Sequence, residues 1–76
     1  MIEFQHELDV RSVLCPGPVM ETKKALMAMP VGDVLHVIAT DPSSVGDIAI
    51  LLSALTCEML ETQQNNDEYH FFIRKK

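Results

Sequence analysis

Cysteine is scarce in this chain, with two in 76 residues. That is far too few for a disulfide scaffold, and it points to a reducing compartment. Basic residues are also few: six Lys and Arg stand against eleven Asp and Glu, a formal net charge of −5. Phosphate repels such a chain, which excludes bulk electrostatic capture of nucleic acid. Long apolar runs are missing too. An unbroken run such as Ile48 to Leu52 is far short of a membrane span. The opening Met1-Ile2-Glu3-Phe4-Gln5-His6-Glu7 places acids where a signal peptide needs a basic and then an apolar region, so none is expected. What is present is ordinary for a folded protein: 47% hydrophobic and 22% charged residues, which excludes disorder as the default. The length allows one core, so a single domain over residues 1–76 is expected, soluble and cytoplasmic.

No repeat, linker or low-complexity tract is visible. Phe4, His6, Leu8 and Val10 alternate with Gln5, Glu7 and Asp9, the pattern of a half-exposed strand. Cys15-Pro16-Gly17-Pro18 breaks it. From Val19 the period becomes helical, with Val19, Thr22, Leu26 and Met29 on one face and Ala25 beside them, until Pro30 and Gly32. Val34 to Ala39 is apolar on both faces, as in a central strand. Asp41-Pro42-Ser43-Ser44 turns the chain into a second helix. There Ser44 and Asp47 have capping-box spacing, and Val45, Ile48, Ala49, Leu52 and Leu55 form the buried stripe. Glu58 to Gln64 is polar and reads as an edge strand, Asn65-Asn66-Asp67 as a turn, and Tyr69 to Ile73 as a second central strand. Right-handed crossovers put both helices on one side of the sheet. The expected fold is a two-layer α/β sandwich, βαβαββ, with strands one and three at the edges.

The chemistry concentrates at Cys15. If Pro16 is the first helical residue, Cys15 is the N-cap and Pro18 the third helical position, and neither proline removes an N–H that the helix could use. The N–H groups of Gly17 and Val19 then remain for a sulfur anion, and the helix dipole favours thiolate over thiol. Gly17 lets a large partner come close, and the prolines stiffen the presentation. Cys57, at the end of the second helix, meets the opposite dipole. His6, His36 and His70 lie on strands without ligand spacing, so no metal site is expected. Lys23 sits eight residues past Cys15, about 12 Å along a helix, too far to act on the thiolate and better placed to meet a partner. Met20 and Met27 share a stripe about 100° from the core stripe. They read equally as an adaptable docking surface or as packing beneath a loop, and the Lys23-Lys24 pair reads also as a solvated flank.

Leu8-Asp9, Cys15-Pro16-Gly17-Pro18-Val19, Thr22-Lys23-Lys24-Ala25-Leu26, Asp41-Pro42 and Ile73-Arg74-Lys75 together resemble the TusA/SirA family of small sulfur-carrier proteins, from about Leu8 to Lys76. The resemblance implies a mixed four-stranded sheet of order 1-2-4-3. It also implies that Cys15 carries sulfur transiently as a persulfide, with no resident cofactor. The sulfur would come from a cysteine desulfurase or a rhodanese-like donor. It would go to an acceptor protein serving tRNA thiolation, molybdenum cofactor assembly or dissimilatory sulfur oxidation. Such a protein is a persulfide relay of the sulfurtransferase type rather than a free-standing catalyst, and is expected to be a monomer that binds neither nucleic acid nor membrane. Two positions depart from the family: Ser12 stands where Gly is usual, and Ala49 where many members have Pro. Two other classes compete, a redox-sensing thiol protein and a thiol-independent adaptor. The first lacks a resolving cysteine in a Cys-x-x-Cys arrangement, and the second has no need of a proline-framed cysteine.

Overall fold

The computed structural model describes residues 2–14 and 17–76. Its elements run β1 (His6–Val10), α1 (Gly17–Ala28), β2 (Val34–Ala39), α2 (Ser44–Leu55), β3 (Glu58–Asn65) and β4 (Glu68–Arg74). The sheet order is β1-β2-β4-β3, with β1 parallel to β2 and the other two pairings antiparallel. The expected βαβαββ sandwich is therefore the observed one. The polar strands β1 and β3 form the edges, and the apolar β2 and β4 lie between them.

Each helix buries one line of residues spaced four apart. In α1 the line is Pro18, Thr22 and Leu26, and in α2 it is Ser44, Ile48 and Leu52. Residues four apart fall on the same side of a helix, and both lines meet the sheet face formed by Leu35, Val37, Phe71 and Ile73. Thr22 satisfies its buried hydroxyl by donating to the Pro18 carbonyl at 2.7 Å. After Met29 the chain turns through Pro30 and Gly32, and Gly32 takes φ +96°, a conformation costly for other residues.

Several local expectations are corrected. Phe4 does not extend β1. Gln5 intervenes: its N–H donates to the Val34 carbonyl, and its side-chain Oε1 accepts the Val34 N–H at 2.8 Å. The chain bends there, and Phe4 packs on the opposite sheet face against His36 and Phe72. The capping box at Ser44 is absent. Ser44 is the first residue of α2, is buried, and donates from Oγ to the Asp41 carbonyl at 2.6 Å. Asp41 Oδ1 instead accepts the N–H and hydroxyl of Ser43. Val45 and Ala49 are exposed, while Ile48 and Leu52 are buried in the core and Leu55 packs against it. At Ala49 the helix continues unbroken, so that departure from the family changes only an exposed position.

Candidate functional site

Cys15 and Pro16, the centre of the expected site, lie outside the described residues. β1 ends at Val10, and Arg11 folds back to grip Asp9 with Nε at 2.9 Å and Nη2 at 2.7 Å. These side-chain hydrogen bonds, aided by the Arg11 backbone N–H, hold the Asp9 carboxyl well below its usual 3.8, at about 2. Arg11 in turn is held firmly charged. The acid that closes β1 is thus neutralised by its own neighbour.

Ser12 follows with φ 64°, in the left-handed region. A residue with a Cβ pays about 1–2 kcal/mol there, which explains why glycine suits this position. In this chain the conformation is held by the Ser12 N–H, which donates to Thr40 Oγ1 at 2.8 Å. Val13 donates its N–H to the Val10 carbonyl at 3.2 Å, closing the turn.

At the helix start the expectation for Gly17 is corrected twice. Its N–H donates to the Leu14 carbonyl at 2.8 Å and is not held ready for a sulfur anion. The space left by its missing side chain belongs to Val13: a Cβ at Gly17 would stand 2.4 Å from Val13 Cγ1. Pro18 is buried against the core and has no N–H, and Val19 is half-buried. The first four N–H groups of a helix have no intrahelical acceptor. With Gly17 committed and Pro18 lacking one, the N–H left at the described start of α1 is that of Val19. The first turn of α1 carries no acidic residue to offset the positive end of its dipole.

Met20, Lys23 and Met27 lie together on the exposed side of α1, with Met20 59% and Met27 65% exposed. They do not pack beneath a loop. Lys24, beside them, pairs with Glu21 at 3.5 Å. Leu14, 77% exposed, adds apolar surface next to Cys15 in sequence. Sequence reasoning missed Val13, Leu14 and Thr40; the only signal for Leu14 was its place before the cysteine.

Cys57 lies just past the end of α2. It follows the α2 C-cap Thr56, donates its N–H to the Leu52 carbonyl at 3.1 Å, and packs half-buried against the core. Among the described residues, no three His, Cys, Asp or Glu side chains converge as a metal site.

The fold is a small α/β domain whose sequence places a cysteine two residues before the described start of its first helix. Comparison with known proteins agrees. The family model described as sulfurtransferase TusA matches residues 6–75, and the chain belongs to that family. It is 43% identical over 75 residues to the sulfur carrier protein TusA of Allochromatium vinosum, covering 99% of both chains. A relative from Halobacterium salinarum, provisionally named a sulfur carrier protein, is 36% identical over 96% of this chain and 91% of its own. The crystal structure of a SirA-like protein from Desulfitobacterium hafniense superposes with a TM-score of 0.80 at 22% identity, over 92% of this chain and 96% of that one, and bears on the fold.

Proposed function

We propose that this protein is a sulfur carrier that accepts a persulfide sulfur on Cys15 and passes it to an acceptor protein. The carrying observation is the match of residues 6–75 to the TusA family, with Cys15 standing in sequence two residues before an α1 whose first turn carries no acid. In the loading step the Cys15 thiolate attacks the terminal sulfur of a donor persulfide. A new S–S bond forms at Cys15, the donor S–S bond breaks, and the donor leaves as a thiolate. Delivery repeats the step with an acceptor thiolate as nucleophile and Cys15 as leaving group. A helix N-terminus favours the anion, which raises the fraction of Cys15 ready to attack in loading and makes it a better leaving group in delivery.

The donor is a cysteine desulfurase or a rhodanese-like protein, and the setting is the reducing cytoplasm. No helix among the described residues is long and apolar enough to cross a membrane. Donor and acceptor dock on the exposed strip of Met20, Lys23 and Met27 together with Leu14. Methionines suit a surface that must fit more than one partner, because their side chains adapt. The protein works as a monomer, since each partner must reach the same thiol. Intact mass after incubation with a desulfurase and cysteine, or with a rhodanese and thiosulfate, tests the reading. Gain of one sulfur supports it; gain of oxygen indicates a redox sensor instead, and an unchanged mass an adaptor.

A further inference from the structure

The sheet face turned away from the helices carries a polar array that sulfur transfer at Cys15 does not use. A cavity of about 500 Å³ there is lined by Phe4, His36, Gln63, Asn65, His70 and Phe72. His36 on β2 and His70 on β4 meet with Nε2 and Nδ1 2.9 Å apart. Their ring centroids are 5.1 Å apart and their planes 20° from parallel. The centroid distance exceeds the nitrogen distance by about two ring radii, so the two nitrogens point straight at one another.

The outer nitrogens are also engaged. His36 Nδ1 lies 3.2 Å from Glu7 Oε2, and His70 Nε2 lies 3.1 Å from Glu68 Oε1. An ionised carboxylate only accepts, so both outer nitrogens carry protons. Two neutral rings have then used all their N–H groups, and the inner nitrogens would face each other with bare lone pairs. Three hydrogen bonds need three protons, and two neutral imidazoles supply two. We propose that the Glu7–His36–His70–Glu68 array holds one additional proton shared between His36 and His70. It acts as a proton-operated clasp that fastens β1 and the Phe4 segment across β2 to β4.

The surrounding charges fit a single added proton. Glu7 and Glu68 cap the two ends. Asp9, on the same face of β1, is neutralised by Arg11, whose Nη1 also reaches Glu68 at 3.3 Å. On β3, Glu61 bonds Gln63, and Glu58 bonds Arg74 of β4 and lies 4.0 Å from Lys76. β2 adds no charge beyond His36, and the leading segment contributes Glu3. Removing the shared proton sets two lone pairs against each other at the observed distance; adding another sets two N–H groups against each other. Either change breaks one link. Phe4, seated on His36 with ring centroids 4.8 Å apart, then loses its support over the cavity. The clasp closes only while the two rings hold three protons between them.

The test is an imidazole nitrogen NMR titration of the full chain labelled in histidine. The expected result is a pH window with three N–H protons for the two rings. In it, His36 Nε2 and His70 Nδ1 show matched intermediate shifts, both outer nitrogens stay protonated, and the Phe4–His36 ring contact is strongest. His70→Gln should abolish the window and leave His36 titrating as a lone ring; if that variant does not fold, the wild-type spectra decide. Rings that go from two N–H groups to one at unrelated midpoints would overturn the proposal, as would a Phe4–His36 contact unchanged with pH. So would inner-nitrogen shifts that vanish on adding a chelator, since a metal ion would then fill the gap.

Discussion

Gly17→Ala isolates how the chain shapes its cysteine segment. A methyl there would stand 2.4 Å from Val13 Cγ1, whereas carbon atoms settle at about 3.5–4.0 Å. Val13 must therefore rotate or the segment must shift. Val13 is 37% exposed, so rotation has room, and leaving a preferred rotamer costs about 0.5–1.5 kcal/mol. In the other direction, alanine recovers about 0.5–1 kcal/mol of the backbone entropy that glycine loses in a helix. The two nearly cancel, so urea denaturation should show stability changed by less than about 1 kcal/mol. Loading should respond more, because residues 13 and 17 bracket Cys15 and Pro16. We expect slower sulfur loading in Gly17→Ala, with rates recovering in Val13→Ala/Gly17→Ala. A double-mutant cycle on stability should give a coupling of about 1 kcal/mol. Wild-type loading in the single variant together with additive stabilities would refute the idea that the Val13–Gly17 contact shapes the site.

Other outcomes follow from the same geometry. Ser12→Gly should stabilise the protein by about 1 kcal/mol by relieving the left-handed conformation, read as a raised urea midpoint; a lowered midpoint would show that the Ser12 side chain is needed. Lys23→Glu should slow sulfur transfer from a donor protein at low salt, with the deficit shrinking as salt is added; unchanged kinetics at low ionic strength would remove Lys23 from the docking strip. Asp9 should titrate at about 2 by carboxyl NMR. Its folded value lies below its unfolded one, so its stabilising contribution is present above about 3.8 and is lost as pH falls through about 2. Arg11→Gln should return Asp9 toward 3.8, and an unmoved Asp9 would reject Arg11 as the cause.

The fold was legible because strand polarity carried the topology. Val34 to Ala39 and Tyr69 to Ile73 are apolar on both faces and had to lie inside the sheet, while Glu58 to Gln64 could only sit at an edge. Helix faces were legible less sharply. A periodic stripe includes Val45 and Ala49, yet both are exposed, and only the packed structure tells which of its members are used. Phe4 was misplaced because alternation cannot see a side chain such as Gln5 replacing a backbone partner. Cys15 stood out through its prolines and its place before a helix. The commitments of Gly17 to Leu14 and to Val13 were hidden, since both depend on how a turn closes. The His36–His70 pair was hidden too, because His36 stands opposite Phe72 and Ile38 opposite His70 in the register, so the two rings meet on a diagonal between strands.

The central claim is that one thiol of the two carries sulfur, and loading of the single-cysteine variants tests it most directly. Cys15→Ser and Cys57→Ser are each incubated with a desulfurase and cysteine, and the sulfur retained on the protein is measured by intact mass. Cys57→Ser should gain one sulfur at close to the wild-type rate, because Cys57 is half-buried behind the end of α2, and Cys15→Ser should gain none. Equal loading of the two variants, or loading lost only in Cys57→Ser, would contradict the assignment of the carrier to Cys15.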